Sequence, residues 1–193
     1  TYSLTENIGK VLQGALFKDP TVLGIVSVSL SIISLVSVFT SIINSIAKPL
    51  YAKFNRESNR ERLIDVYRFN TRAHSYFFLP LYLFFILCAN KFLLIFGESY
   101  TMYPLILVIL SLRALASSIT GPNGGMLTMT GHEKMQFVNG AIYLGTFSLF
   151  LWLFSTDPIY GLSLAFLTAE IIVNIIKYIE VWYVFKCLPL DLK

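Results

Sequence analysis

Glu170, Asn174 and Lys177 follow one another at i, i+4 and i+7 inside a long apolar run, a spacing that sets all three on one face of a helix. Glu6, Lys10 and Gln13 repeat the pattern near the start of the chain, and Arg113 stands alone inside a third apolar run. Ionisable groups at membrane depth are costly and turn toward a bundle interior or a wet cavity, so three helices offer polar faces to something shared. Glu6 with Lys10 and Glu170 with Lys177 can pair along their own helices and act as helix-to-helix glue. Arg113 has no acidic residue within a turn or two of it on its own run. It requires a partner from another helix, a water-filled cavity or an anionic ligand, and its planar fork of donors suits phosphate.

Other chemistries find little support. His132 and Glu133 are adjacent, but HEKMQ lacks the second histidine of a zinc-protease helix. GPNGG (121–125) matches neither a dinucleotide fingerprint nor a phosphate-binding loop and follows no predicted strand. The expectation is a protein that is not an enzyme and uses neither cofactor nor metal. His74 reads as an interfacial residue at the end of a Phe-rich helix, with a proton-relay role as the alternative. Cys88 and Cys187 lack metal-ligand spacing and read as small packing residues. Lys91 lies near the end of its span, where its stem can snorkel to the interface.

The elements that must position these residues follow from composition. Only 13% of residues are charged and 55% are hydrophobic, with a mean hydropathy of +0.68; soluble domains carry about a quarter charged residues. Several runs approach the roughly 20 apolar residues that cross a bilayer as a helix. The reading is an all-α polytopic membrane protein, one helical lobe over 1–193 with about six transmembrane helices. The spans fall at about 1–17, 21–47, 75–96, 102–130, 135–154 and 158–185. Between them, the segment 48–73 reads as a basic cytoplasmic loop: Lys48, Lys53, Arg56, Arg60, Arg62, Arg68 and Arg72 outweigh Glu57, Glu61 and Asp65. FGESYTMY (96–103) and STDP (155–158) then lie outside, GHEK (131–134) and the tail inside, so acid collects on one side and base on the other. Glu57, Glu61 and Asp65 keep helical spacing, which leaves a short interfacial helix and a solvated charged linker both open within the loop. Asp19 and Pro20 read as a turn or helix start. The net charge of +4 is concentrated in that loop, which excludes a nucleic-acid-binding face. The first residues, TYSLTENIGK, lack the basic start and short apolar run of a cleavable signal, and the first residue is Thr. The expectation is an internal segment of a longer protein.

Gly121, Pro122, Gly124 and Gly125 interrupt the fourth apolar run. Breakers survive at membrane depth where neighbouring helices or polar side chains satisfy the freed backbone groups. They serve either as a bend that works during a conformational change or as a static close-packing site.

A proline near the end of a helix before the basic loop (Pro49), an FG..Y element (Phe96, Gly97, Tyr100) and a following segment with Gly121, Pro122, Gly124, Leu127, Thr130, Gly131, His132 and Lys134 together carry a resemblance. The chain resembles the polysaccharide-flippase branch of the multidrug/oligosaccharidyl-lipid/polysaccharide exporter superfamily, the Wzx-like O-antigen and capsule transporters. The likeness is best over 45–134; the two last helices match only in length and polarity. It implies a two-lobe exporter fold of which this chain is one lobe, the C-terminal one, with an N-terminal lobe missing. It implies flipping of an oligosaccharide carried on undecaprenyl pyrophosphate across the bacterial inner membrane by alternating access, driven by an ion gradient or the membrane potential. The implied partners are that lipid-linked oligosaccharide, membrane lipid and glycan polymerase machinery. Arg113 and Lys177 are the leading residues for a cationic cavity, with Glu170, Asn174, Glu6 and Lys10 secondary; helix-face geometry supplies them, and the family motif does not. A multidrug antiporter of the same superfamily, a polytopic enzyme of glycan assembly and a non-transporting helical scaffold are the competing readings.

Overall fold

The computed structural model describes residues 20–187, all of it helix and connecting turns with no strand among the described residues. The first helix, α1, covers Pro20–Arg56, and α2 covers Arg60–Leu94. At a rise of 1.5 Å per residue they are about 55 and 50 Å long, well beyond the roughly 30 Å of a hydrocarbon core. The segment 48–73, expected as a loop, is therefore helical apart from the turn at 57–59. The basic residues mark where the chain leaves the apolar zone, but charge does not end a helix. At the turn itself, Asn59 NH donates to the Phe54 carbonyl at 2.9 Å, and the Asn59 side chain accepts from the Arg62 NH at 3.2 Å, capping α2.

The overhanging ends have a core of their own. Tyr51, Leu63 and Tyr67 bury against Met126, Leu127, Val181 and Phe185, so the extension is held by packing as well as by helix propensity. Cys187 is buried in the same cluster. Burial pushes its thiol above its ordinary value, against the pull of Arg68 and Arg60, which suits a packing role.

At the far end of α2, Gly97 (φ 126°) turns the chain into a 3-10 turn at Glu98–Met102. Its Tyr100 packs against two apolar clusters and meets the Phe96 ring edge-on. Next come α3 (Leu105–Thr120) and the short α4 (Asn123–Met129), bent from each other by 45°. α5 (Glu133–Leu153) and α6 (Gly161–Phe185) complete the described chain. Asp157 caps the entry to α6 by accepting from the Ile159 and Tyr160 NH groups at 3.0 Å each. α3 is the central helix, packed on α1, α2 and α6, and α5 leans on α6.

Four of these helices are long and apolar enough to cross a membrane, and the bent α3–α4 pair makes a fifth candidate. The span expected at 1–17 lies outside the described residues. Large apolar side chains on the outer faces, among them Leu87 (82% exposed), Phe137 (79%) and Trp152 (72%), form a surface that water would not tolerate but lipid would.

Gly121 stands at the break with φ 78°, and a Cβ there would run into the Thr71 side chain of α2. Gly121→Ala is expected to destabilise the protein by about 1–3 kcal/mol, read as a lowered unfolding midpoint in detergent. Gly140→Ala on α5, where a Cβ would meet nothing within 4 Å, should leave that midpoint in place.

Candidate substrate cleft

The partner that Arg113 requires comes from the last helix. Its Nε donates to Oε2 of Glu170 at 3.3 Å, joining α3 to α6. The other Glu170 oxygen accepts from the Asn174 amide at 3.0 Å, one turn further along α6. One turn back on the same helix, the Phe166 ring lies 4.9 Å from the guanidinium carbon, a cation–π contact. Arg113 and Glu170 are 8% and 2% exposed. With so little surface exposed, each charge depends on the other for compensation.

The pair forms part of the wall of a cleft of about 540 Å³. α1 contributes Ser34, Ser37, Thr40 and Asn44, α2 contributes His74 and Tyr82, and α3 adds Ser117 and Ser118 before the break at Gly121 and Pro122. The cleft sets these polar groups beside apolar ones such as Ile33 and Ala114, is open on one side, and is formed by helices whose outer faces are apolar. Among the described residues no three His, Cys, Asp or Glu side chains are grouped to hold a metal ion.

The break is tied to α2. Tyr67 OH donates to the Asn123 side chain at the start of α4, and Thr71 sits against Gly121. Beside them the Asn70 amide donates to Tyr51 OH at 3.0 Å, linking α2 to α1.

Of the residues singled out from sequence, Arg113, Glu170, Gly121 and Pro122 line this cleft. Asn174 stands behind Glu170 and orients it. Lys177 is buried on the same face of α6, away from the cleft wall. Gly124 and Gly125 lie on α4, outside the lining: a Cβ on the first would press on the Gln136 side chain, and on the second would make ordinary contact with Lys48. Glu6 and Lys10 lie outside the described residues. His74, expected at an interface, is buried at 4% exposed, lines the cleft and packs its ring 5.4 Å from that of Phe78. The cause is the extra length of α2, which carries His74 into the bundle rather than leaving it at a helix end.

Sequence reasoning missed the α1 wall. Its signal was present: Ser34, Ser37, Thr40 and Asn44 recur at three to four residues within a strongly apolar helix, which is one helical face. Small hydroxyl residues carry no charge to draw attention, and they also read as packing residues.

A family model described as polysaccharide biosynthesis protein matches residues 1–104. The chain belongs to that family. Its matched part takes in α1 and α2 and therefore the Ser34 to Asn44 face, His74 and Tyr82, whereas Arg113 and Glu170 lie beyond it. Neither a curated protein nor a solved structure matches the chain. Family membership places the protein in polysaccharide synthesis or export, and its apolar helices make it a membrane protein.

If the Arg113–Glu170 pair holds α3 to α6, Arg113→Met or Glu170→Leu alone should cost about 3–5 kcal/mol, because each leaves a buried charge uncompensated. Arg113→Met with Glu170→Leu should cost far less than the sum. Equilibrium unfolding of the four proteins as a double-mutant cycle reads the coupling.

Proposed function

We propose that the chain translocates lipid-linked oligosaccharide or polysaccharide repeat units across the bacterial inner membrane by alternating access, as one lobe of a multi-pass, two-lobe transporter. On this reading it is not an enzyme. The observation that carries the proposal is a cleft with polar side chains and a buried ion pair in its wall, inside an apolar helical frame in a member of a polysaccharide biosynthesis family. A glycan headgroup cannot cross hydrocarbon unaided, because each hydroxyl stripped of water without a new partner costs several kcal/mol. A cleft lined by hydroxyls, an amide and a fixed charge pair replaces that water, while a prenyl tail stays in lipid. The cleft is of a size that holds a small headgroup, so a longer glycan would extend through its open side toward the other lobe.

The basic ends of α1 and α2 would face the cytoplasm by the positive-inside rule, and the Gly97 and Asp157 turns the opposite side. The pyrophosphate carrier and the glycan polymerase are the partners this reading calls for. Membership of the antiporter branch is the second reading, favoured by one observation: Glu170, a carboxylate, lines the cleft and is the type of group that cation exchange employs.

The test uses cells that lack the protein. Completed lipid-linked oligosaccharides should accumulate in the cytoplasmic leaflet and be cleared by the wild type. Arg113→Ala should clear them poorly at matched membrane levels, and so should the charge-free Arg113→Met, Glu170→Leu protein, which is expected to keep its fold. Normal glycan export together with altered sensitivity to cationic drugs would replace the flippase reading with the antiporter one.

A further inference from the structure

Resting on the transport reading, we propose that the cleft recognises the sugar part of its cargo, through a ladder of hydrogen-bond acceptors on α1, and does not bind the diphosphate. The argument begins with where the hydroxyl protons go. Ser34 donates to the Ser31 carbonyl at 2.8 Å, Ser37 to the Ser34 carbonyl at 2.6 Å and Thr40 to the Ser37 carbonyl at 2.6 Å. Across the cleft, Ser118 donates to the Ala114 carbonyl at 3.0 Å. A hydroxyl has one proton and two lone pairs. A carbonyl can only accept, so in each case the proton is committed to the backbone and lone pairs remain to face the cleft.

The Ser34, Ser37 and Thr40 face discriminates between ligands, and the Asn44 amide at its end adds a group that can donate as well as accept. Sugar hydroxyls and amide NH groups are donors and meet the lone pairs directly. Diphosphate oxygens are acceptors, and each would face another acceptor unless a serine gave up its bond to the helix. The one guanidinium on the wall has its charge offset by the Glu170 carboxylate at 3.3 Å, so it offers a diphosphate hydrogen-bond donors but no net positive charge from the pair. The expected cationic cavity is thus a paired one, with no net charge contributed by Arg113 and Glu170 together.

A second observation points to a ligand in the same place. His74 is 4% exposed, lines the same cleft from α2, and its Nε2 has no hydrogen-bond partner. A buried ring nitrogen left in that condition is costly and can donate to, or accept from, a sugar hydroxyl. Neutral polyol chemistry satisfies it in either tautomer.

The test is binding to the purified full-length protein in detergent. Two probes are compared: the oligosaccharide that mild acid releases from the host's lipid-linked pool, and inorganic pyrophosphate. Changing Ser34, Ser37 and Thr40 together to Ala should weaken oligosaccharide binding by about tenfold or more, on the scale of a few lost hydrogen bonds. The variant with Ser34→Thr, Ser37→Thr and Thr40→Ser keeps every hydroxyl and should bind as the wild type does. Alanine is the best helix former, so α1 is expected to persist in the triple variant. Ser41→Ala with Ser45→Ala, exposed hydroxyls on the same helix outside the cleft, serves as the control and should change nothing. Undiminished oligosaccharide binding by the triple Ala variant overturns the ladder and leaves the transport reading standing. Pyrophosphate binding that the triple Ala change weakens also overturns it. If the wild type binds no oligosaccharide, both the ladder and the transport reading fall.

Discussion

A charged side chain inside an apolar bundle must be paired, and Arg113 is the point where that requirement shapes the molecule. Its helix, α3, has no acid to offer, so α3 must lie against the face of α6 that carries Glu170. That contact joins those with α1 and α2 in placing α3 at the centre. Phe166 and Asn174, one turn to either side of Glu170, then complete the setting, the ring beneath the guanidinium and the amide against the carboxylate. The pair stabilises little in absolute terms, since both ions give up hydration to form it. Its effect is on specificity: rotating or sliding either helix would leave two buried charges unmatched.

The break after α3 follows from the same crowding. A straight continuation of α3 would carry its last turns past α2, whereas Gly121 at φ 78° admits the Thr71 side chain where a Cβ would stand and sends α4 off at 45°. Tyr67 then holds Asn123 at the start of the new helix. The breaker segment is therefore a junction between α2 and the α3–α4 pair, and Gly121 and Pro122 line the cleft.

α1 supplies the remaining side with hydroxyls and no charge. Serines bonded to their own helix need no partner elsewhere, so they can face a cleft or lipid alike. This property makes the face tolerant of membrane insertion and leaves the Ser34, Ser37 and Thr40 hydroxyls as acceptors in the cleft. The ion pair and the hydroxyl face are thus complementary in character: one ties helices together, while the other remains available to a ligand.

Much of this architecture was legible in the chain. Long apolar runs specify membrane-length helices, the spacing of Glu170, Asn174 and Lys177 marks one buried face of α6, and the need of Arg113 for an outside partner follows from its isolation. Local sequence could not show which partner it takes, nor that 48–73 is helix and that α2 carries His74 into the interior. It also could not tell the cleft-facing hydroxyls of α1 from packing serines, or set Glu170 apart from Lys177 on one helical face. Periodicity records which residues share a side of one helix and is decided by backbone geometry alone. Which sides meet is decided by the packing of all the helices at once, where distant residues compete to bury, pair or satisfy one another.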